Sequence, residues 1–236
     1  MIPKRLTLLL FLFISINNSY ASLLENGFKI EYDVNYNDMD IGVSKRSLLF
    51  VSDKQAIYKA ETVPEGFASL IIKETVKEIS RSTITRNEII PLEYTITKNK
   101  RGNIEENTIK FDWKNKTVSN SYTKNTESLK TNTHDLLSLQ LNIMRDLQKH
   151  RKNMQYQIAT KKHYRQYALN TEKEETIETS MGDFKTIKLT SKSTEGNSQY
   201  TFWCAPTLEF LPIKIQKVND KGDTFSFTIR TFSMQK

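Results

Sequence analysis

Between Asn132 and His150 the chain changes its hydrophobic period, and that change most limits what it can fold into. Leu136, Leu137, Leu139, Leu141, Ile143, Met144 and Leu147 spread over more than half the circumference of a helix. Nearly everything on either side alternates apolar with polar, the pattern of strands with one face on a core and the other in water. A helix that apolar needs cover on two sides or a deep seat in a concave sheet. The expected fold is mainly β: a single curved antiparallel sheet, or partly open barrel, of about ten strands wrapped on one buried helix over about 132–150.

The helix ends are marked. Asn132 or Thr133 can cap the N-terminus, with Asp135 in the first turn, where a negative charge suits the helix dipole. Lys149, His150 and Arg151 close the other end. A helix lying on a membrane would carry basic residues along one whole face. Here they cluster at the terminus, which favours burial.

The opening strand is Phe28 to Tyr36, with Phe28, Ile30, Tyr32, Val34 and Tyr36 on one face. Asn37 to Asp40 turns the chain into a strand that passes Gly42 and runs to Val51, and Gln55 to Val63 returns. Pro64-Glu65-Gly66 breaks the pattern before a short helical turn around Phe67, Leu70 and Ile71, followed by a strand over Thr75 to Thr85. Pro91 begins another strand, and Lys100-Arg101-Gly102-Asn103 is the best hairpin signal, Gly-Asn fitting a two-residue primed turn. Ile109, Phe111 and Trp113 share a strand face. After the helix, strands follow at Met154–Ile158, His163–Leu169, Thr176–Thr179, Phe184–Lys192, Tyr200–Cys204, Leu211–Val218 and around Phe225–Ile229, with a turn at Glu195-Gly196-Asn197. No linker or repeat divides them, so 22–236 reads as a single β-rich domain.

The first 21 residues read as a signal peptide. Lys4 and Arg5 precede an apolar run from Leu6 to Ile16, and Ser19-Tyr20-Ala21 places small residues at −3 and −1 of a cleavage point after Ala21. No cysteine adjoins that point, which argues against a lipoprotein, and no later run reaches the roughly 20 apolar residues of a transmembrane helix. Cleavage leaves 215 of 236 residues, ample for a packed core. The single cysteine, Cys204, cannot form an internal disulfide and reads as a small apolar residue beside Trp203. Export without disulfides, with a Lys/Asn/Ile-rich composition, points to a bacterial periplasm, where the Asn115-Lys116-Thr117 sequon carries no meaning. Removing Lys4 and Arg5 takes the net charge from +8 to +6, and the basic residues are scattered among acids. That describes a solvated surface, or one drawn to anionic envelope surfaces. Export argues against nucleic acid as the partner.

Four blocks in order carry a family resemblance. They are the opening strand with Gly42; Pro91-Leu92-Glu93-Tyr94 with Phe111-Asp112-Trp113; Asp135-Leu136-Leu137-Ser138 with Arg145-Asp146-Leu147; and the Gly182 turn with Trp203-Cys204-Ala205-Pro206 and Leu211-Pro212-Ile213. Together they resemble the exported bacterial family known as domain of unknown function 3108. The resemblance implies a periplasmic β-rich domain and no catalytic residues. By looser analogy, a curved sheet on a helix is similar to periplasmic lipoprotein-carrier folds. The lysine-rich, glycine-poor loops depart from the family pattern.

Chemistry-bearing patterns are sparse. His134 and His150 lie at opposite helix ends and His163 on a strand, so no pair has metal-ligand spacing. His134, Asp135 and Ser138 share a helical turn, a weak hint of a hydrolytic triad, but Ser138 lacks a nucleophile elbow. Asp112 and Asp135 have nothing tying them into an acid–base pair. The seven glycines form no phosphate loop. No cofactor is implied. Trp113, Trp203, Tyr94 and Met144 are weak ligand-contact candidates, and the tyrosine-rich faces (Tyr32, Tyr36, Tyr94, Tyr156, Tyr200) suit a core or an apolar ligand wall. The expected function is a non-catalytic periplasmic binding module for a lipid or other envelope amphiphile. The alternatives are an assembly factor that binds another envelope protein and, less favoured, an envelope-polymer hydrolase.

Overall fold

A computed structural model describes residues 22–161, 164–193 and 198–235. The signal-peptide reading, His163 and the Glu195–Asn197 turn lie outside these residues. A short α1 (Leu23–Asn26) precedes a meander of eight strands: β1 (Phe28–Tyr36), β2 (Met39–Phe50), β3 (Gln55–Pro64), β4 (Glu74–Ile84), β5 (Ile89–Lys100), β6 (Asn103–Asp112), β7 (Thr117–Asn120) and β8 (Asn125–Ser128). A single-turn α2 (Ala68–Ile71) interrupts it between β3 and β4. The two-residue β9 (Thr133–His134) leads into the central helix α3 (Leu136–Gln148). A second meander follows: β10 (Met154–Ala159), β11 (Tyr164–Thr179), β12 (Gly182–Ser193), β13 (Gln199–Ala205), β14 (Leu211–Val218) and β15 (Thr224–Met234).

Pairing of β1 with β15 joins the meanders into one fifteen-stranded sheet, ordered β8 to β1, then β15 down to β9. Each pairing is antiparallel except β9 with β10. The two ends of the sheet meet side chain to backbone: Asn120 Nδ2 donates to the carbonyls of Thr160 and Lys161, and Tyr164 Oη to that of Ser128. The result is a barrel-like sheet with a seam that carries no ladder. The count exceeds the expected ten in part because β8 and β9 are too short to show a period, at four and two residues.

Turn chemistry sets several registers. Asn37 and Asp38 both take positive φ (46° and 64°), as a primed hairpin turn requires. In the later hairpin the positive-φ pair is Arg101–Gly102 (54° and 87°), with Lys100 opposite Asn103. The turn therefore sits one residue before the expected Gly-Asn. Tyr164–Thr179 is one strand of 16 residues, not two, and its acidic centre is absorbed by a register shift between Thr171 and Glu174.

The central helix is shorter than expected. It starts at Leu136 with Asp135 as N-cap; Asn132 has φ 54° and lies outside it, and Thr133 pairs in β9. Asp135 wins the cap because its carboxylate takes four donors at once. Oδ1 accepts from the N–H groups of Leu137 and Ser138 at 2.8 and 2.9 Å, while Oδ2 accepts from the hydroxyls of Ser138 and Ser80, both at 2.8 Å. Ser138 Oγ accepts in turn from the Asp135 N–H, closing a capping box.

Every residue from Leu137 to Leu147 is buried. Leu137, Leu141 and Met144 pack with Phe28, Ile30, Tyr32, Leu48 and Tyr58 of the first meander. Leu139, Ile143 and Leu147 pack with Tyr156, Ile158, Leu189, Phe202 and Ile215 of the second. Each such side chain contributes about 1.5–3 kcal/mol on leaving water, so the helix ties the two half-sheets together in addition to the β1–β15 ladder. Leu23 and Leu24 of α1 close the lower end of the first cluster. Cys204 is fully buried, and burial raises its thiol pKa, in line with its reading as a small apolar residue.

Two substitutions probe this frame. A Cβ on Gly42 would lie 2.1 Å from the Val63 carbonyl oxygen and 2.9 Å from Pro64 Cα. Gly42→Ala is expected to lower unfolding free energy by about 1–3 kcal/mol in urea titration. Asp135→Ala removes a cap and leaves the Ser80 and Ser138 hydroxyls without their acceptor; the expected loss is about 2–4 kcal/mol in the same measurement.

Candidate functional site

Above the N-terminal turn of α3 the barrel is not filled. A cavity of about 600 Å³ opens at the end carrying the β1–β2 turn. Its floor is Leu136, Leu137, Leu139 and Gln140 of α3. Its walls are inward-facing residues of two strand groups: Val34, Val63, Val76 and Ile96 from β1 and β3 to β5, and Tyr200, Phe202, Ile215, Phe225 and Phe227 from β13 to β15. The cavity exists because α3 spans only part of the barrel; the strands continue past its first turn with the same alternation. Size and lining fall within the range of small-molecule sites.

Charge enters this apolar space at few points. Arg46 projects from β2, a cation on the inward phase between Ser44 and Leu48, and only 7% of it is exposed. Its Nη1 donates to Gln140 Oε1 at 2.7 Å and its Nε to Ser44 Oγ at 3.3 Å. The guanidinium carbon lies 4.5 Å from the Tyr32 ring centre and 4.9 Å from that of Phe227. Glu78 lines the wall two strands away, across Ala60, and accepts from the buried Tyr94 hydroxyl, whose pKa rises through burial and the Glu78 charge. Glu74, Lys98 and Lys217 lie nearer the opening; burial and the Arg165 charge lower the Lys217 pKa.

The rim is unusually apolar. Phe67, Leu70 and Ile71 of the α2 loop are 90, 69 and 80% exposed, next to Ile72, which lines the cavity. Their helical spacing is realised as α2, but no core covers it.

The sequence-derived candidates fall elsewhere. Trp113 lies just beyond β6 and donates through Nε1 to the Pro91 carbonyl. Trp203 donates to Glu175, whose carboxyl is held below the usual range by that bond and by Lys188. Met144 is fully buried against the first meander. Tyr94 reaches the cavity wall only through Glu78. Of the tyrosine-rich faces, Tyr36 and Tyr200 line the cavity. Arg46 and Gln140 were not singled out from sequence. The available signal was a cation in the inward phase of a strand.

His134, Asp135 and Ser138 are neighbours without triad geometry. The His134 ring nitrogens meet Asn132 Oδ1 at 3.0 Å and Asn142 Nδ2 at 3.1 Å, whereas Ser138 Oγ donates to Asp135. Burial brings the His134 pKa down to about 4, and burial raises that of Asp135 against its four hydrogen bonds. Asp112 belongs to another cluster, accepting from Asn115 in an exposed turn. Among the described residues, no group of three or more His, Cys, Asp or Glu could hold a metal ion.

These pKa shifts predict a pH response. A neutral His134 is favoured by the fold, so it contributes nothing above its unfolded value near 6.5 and destabilises as pH falls toward 4. Asp135 acts oppositely, since its raised pKa makes the carboxylate less costly to bury once protonated. His134→Asn is therefore expected to remove a stability loss on the order of 2 kcal/mol between pH 7 and pH 4.5, read as the difference between wild-type and variant melts.

Comparison with known proteins places the fold. No curated protein matches this chain. Among solved structures it is similar to the beta-barrel-like protein of domain of unknown function DUF1849 from Brucella abortus. The two share 8% identity with a TM-score of 0.61, over 90% of this chain and 99% of that one. At that identity the likeness is one of fold. A family model described as "Protein of unknown function (DUF3108)" matches residues 31–230, and the chain belongs to that family.

Proposed function

We propose that the protein is a non-catalytic binding module for a single-chain amphiphile of the cell envelope, held in the barrel end above α3. The observation that carries this reading is the cavity of about 600 Å³ with predominantly hydrocarbon walls. An apolar space of that size open to water is costly to leave exposed, and an acyl chain covers it by the same hydrophobic term that packs the core. The exposed Phe67, Leu70 and Ile71 beside the opening support it, because an acyl chain leaving a bilayer needs an apolar path. Among the described residues no helix is long and apolar enough to cross a membrane.

A periplasmic location belongs to the same proposal. The signal pattern ends at Ala21, and Ser22 and Leu23 are received at once by the fold: Ser22 Oγ and the Leu23 N–H both donate to the Glu209 carboxylate.

The exposed α2 loop also supports a second reading, an envelope protein docking there. Crosslinking from position 70 in the periplasm would return one reproducible protein partner under that reading, and lipid under the first.

Direct tests are available. Mass spectrometry of an organic extract of purified protein is expected to detect a co-purifying amphiphile. A neutral fluorescent probe, N-phenyl-1-naphthylamine, should brighten on binding and be displaced by dodecanol. Val76→Trp puts an indole into the cavity and is expected to weaken probe binding at least tenfold with an unchanged circular dichroism spectrum. Equal probe binding by wild type and Val76→Trp would count against the cavity.

A further inference from the structure

We infer that Arg46 is the anchor for an anionic head group, so that the amphiphile enters head first with a carboxylate or phosphate at the cavity floor. The inference rests on the cavity reading and adds the charge of the ligand and its direction. Its basis is a buried cation whose hydrogen-bond and ring partners are all neutral. Ser44 Oγ and Gln140 Oε1 accept from it, and the Tyr58 hydroxyl and two aromatic rings pack against it. Among the described residues no carboxylate lies within ion-pair distance of the guanidinium. A buried charge normally comes with an opposite one.

The other buried arginine, Arg145, also makes no ion pair among the described residues, and its Nη1 has no hydrogen-bond partner. Burial lowers its pKa against the charges of Asp146, Glu25 and Glu88, and it lines no part of the cavity, so Arg46 is the buried arginine that a ligand in the cavity can meet. Glu78, the acid facing the same wall as Arg46, is engaged by Tyr94. Ala60 separates the two in register. A planar guanidinium offers five donors in a fork suited to two acceptor oxygens. Gln140, whose amide nitrogen is tied to the Leu136 carbonyl at 3.0 Å, holds that fork in place from the helix.

The dimensions agree with this direction. From Arg46 to Gly42 at the rim β2 runs four residues, about 13 Å of strand, walled by Val34, Val63 and Val76. A head at Arg46 would therefore leave its chain along apolar walls toward the opening. The opposite orientation would put hydrocarbon on the guanidinium and leave it without a counter-charge.

Displacement of N-phenyl-1-naphthylamine by dodecanoate, dodecyl phosphate and dodecanol, each below its micelle concentration, tests the inference. Wild type is expected to bind at least one of the two anions about tenfold or more tighter than dodecanol, the size of a charge-assisted hydrogen-bond pair. Which anion is preferred identifies the head. Arg46→Met should lose that preference and still bind dodecanol. If wild type binds dodecanol as tightly as both anions, or if folded Arg46→Met keeps the preference, Arg46 is not the anchor while the cavity reading stands. If none of the three displaces the probe from wild type, the cavity reading itself fails. Circular dichroism checks that Arg46→Met folds; where it does not, the wild-type ratio alone decides.

Discussion

Complete burial of α3 is the constraint on which the rest depends. A helix with apolar side chains around most of its girdle cannot lie on a flat sheet, because one side would stay wet. It needs a sheet that curls round it. The two meanders supply that surface, and the β1–β15 pairing makes them continuous. Leu137 and Met144 face one meander and Ile143 and Leu147 the other, so the helix works as the common core of both.

Burial on all sides also drives most polar residues of α3 to find partners, although Arg145 Nη1 has none. Asn142 reaches His134 and the Ile89 carbonyl. Asp146 accepts from Tyr156 at 2.7 Å and pairs with Arg151. Gln140 takes Arg46. These contacts fix the rotation and height of the helix, since a buried polar group without a partner costs about 1–3 kcal/mol. The height sets the cavity: one more turn at the N-terminal end of α3 would fill the space above Leu136. Asp135, gathering two backbone N–H groups and two hydroxyls, ends the helix there and so leaves the cavity open.

The cavity thus follows from stability and is not opposed to it. The same strands that seal the core below α3 run past its first turn and keep their alternation, now facing empty space. Arg46 stands at the boundary between the two regions. Below it lie Tyr32 and Tyr58, deeply buried; above it lie valines and phenylalanines that line the opening. A cation at this boundary is tolerable where aromatic faces and neutral acceptors share it, and becomes useful where an anion can arrive.

Much was legible in the sequence. The alternation gave the β class and strands such as Phe28–Tyr36 without error, because side-chain direction along a strand depends only on local geometry. The girdle of α3 and its burial were also readable, as was membership of the DUF3108 family. Short elements escaped: β8 and β9 span too few residues for a period, and the cap moved from Asn132 or Thr133 to Asp135 because Ser80, 55 residues away, completes the set of donors around its carboxylate. The site was the least legible part. Trp113, Trp203 and Met144 stood out by type, but whether a large side chain faces a core or a cavity depends on where a distant helix stops. The sequence alone determined which faces of the strands are apolar. Tertiary structure decided where those faces meet protein and where they meet open space, since that turns on the height of α3 in the barrel, set by contacts between residues far apart in the chain.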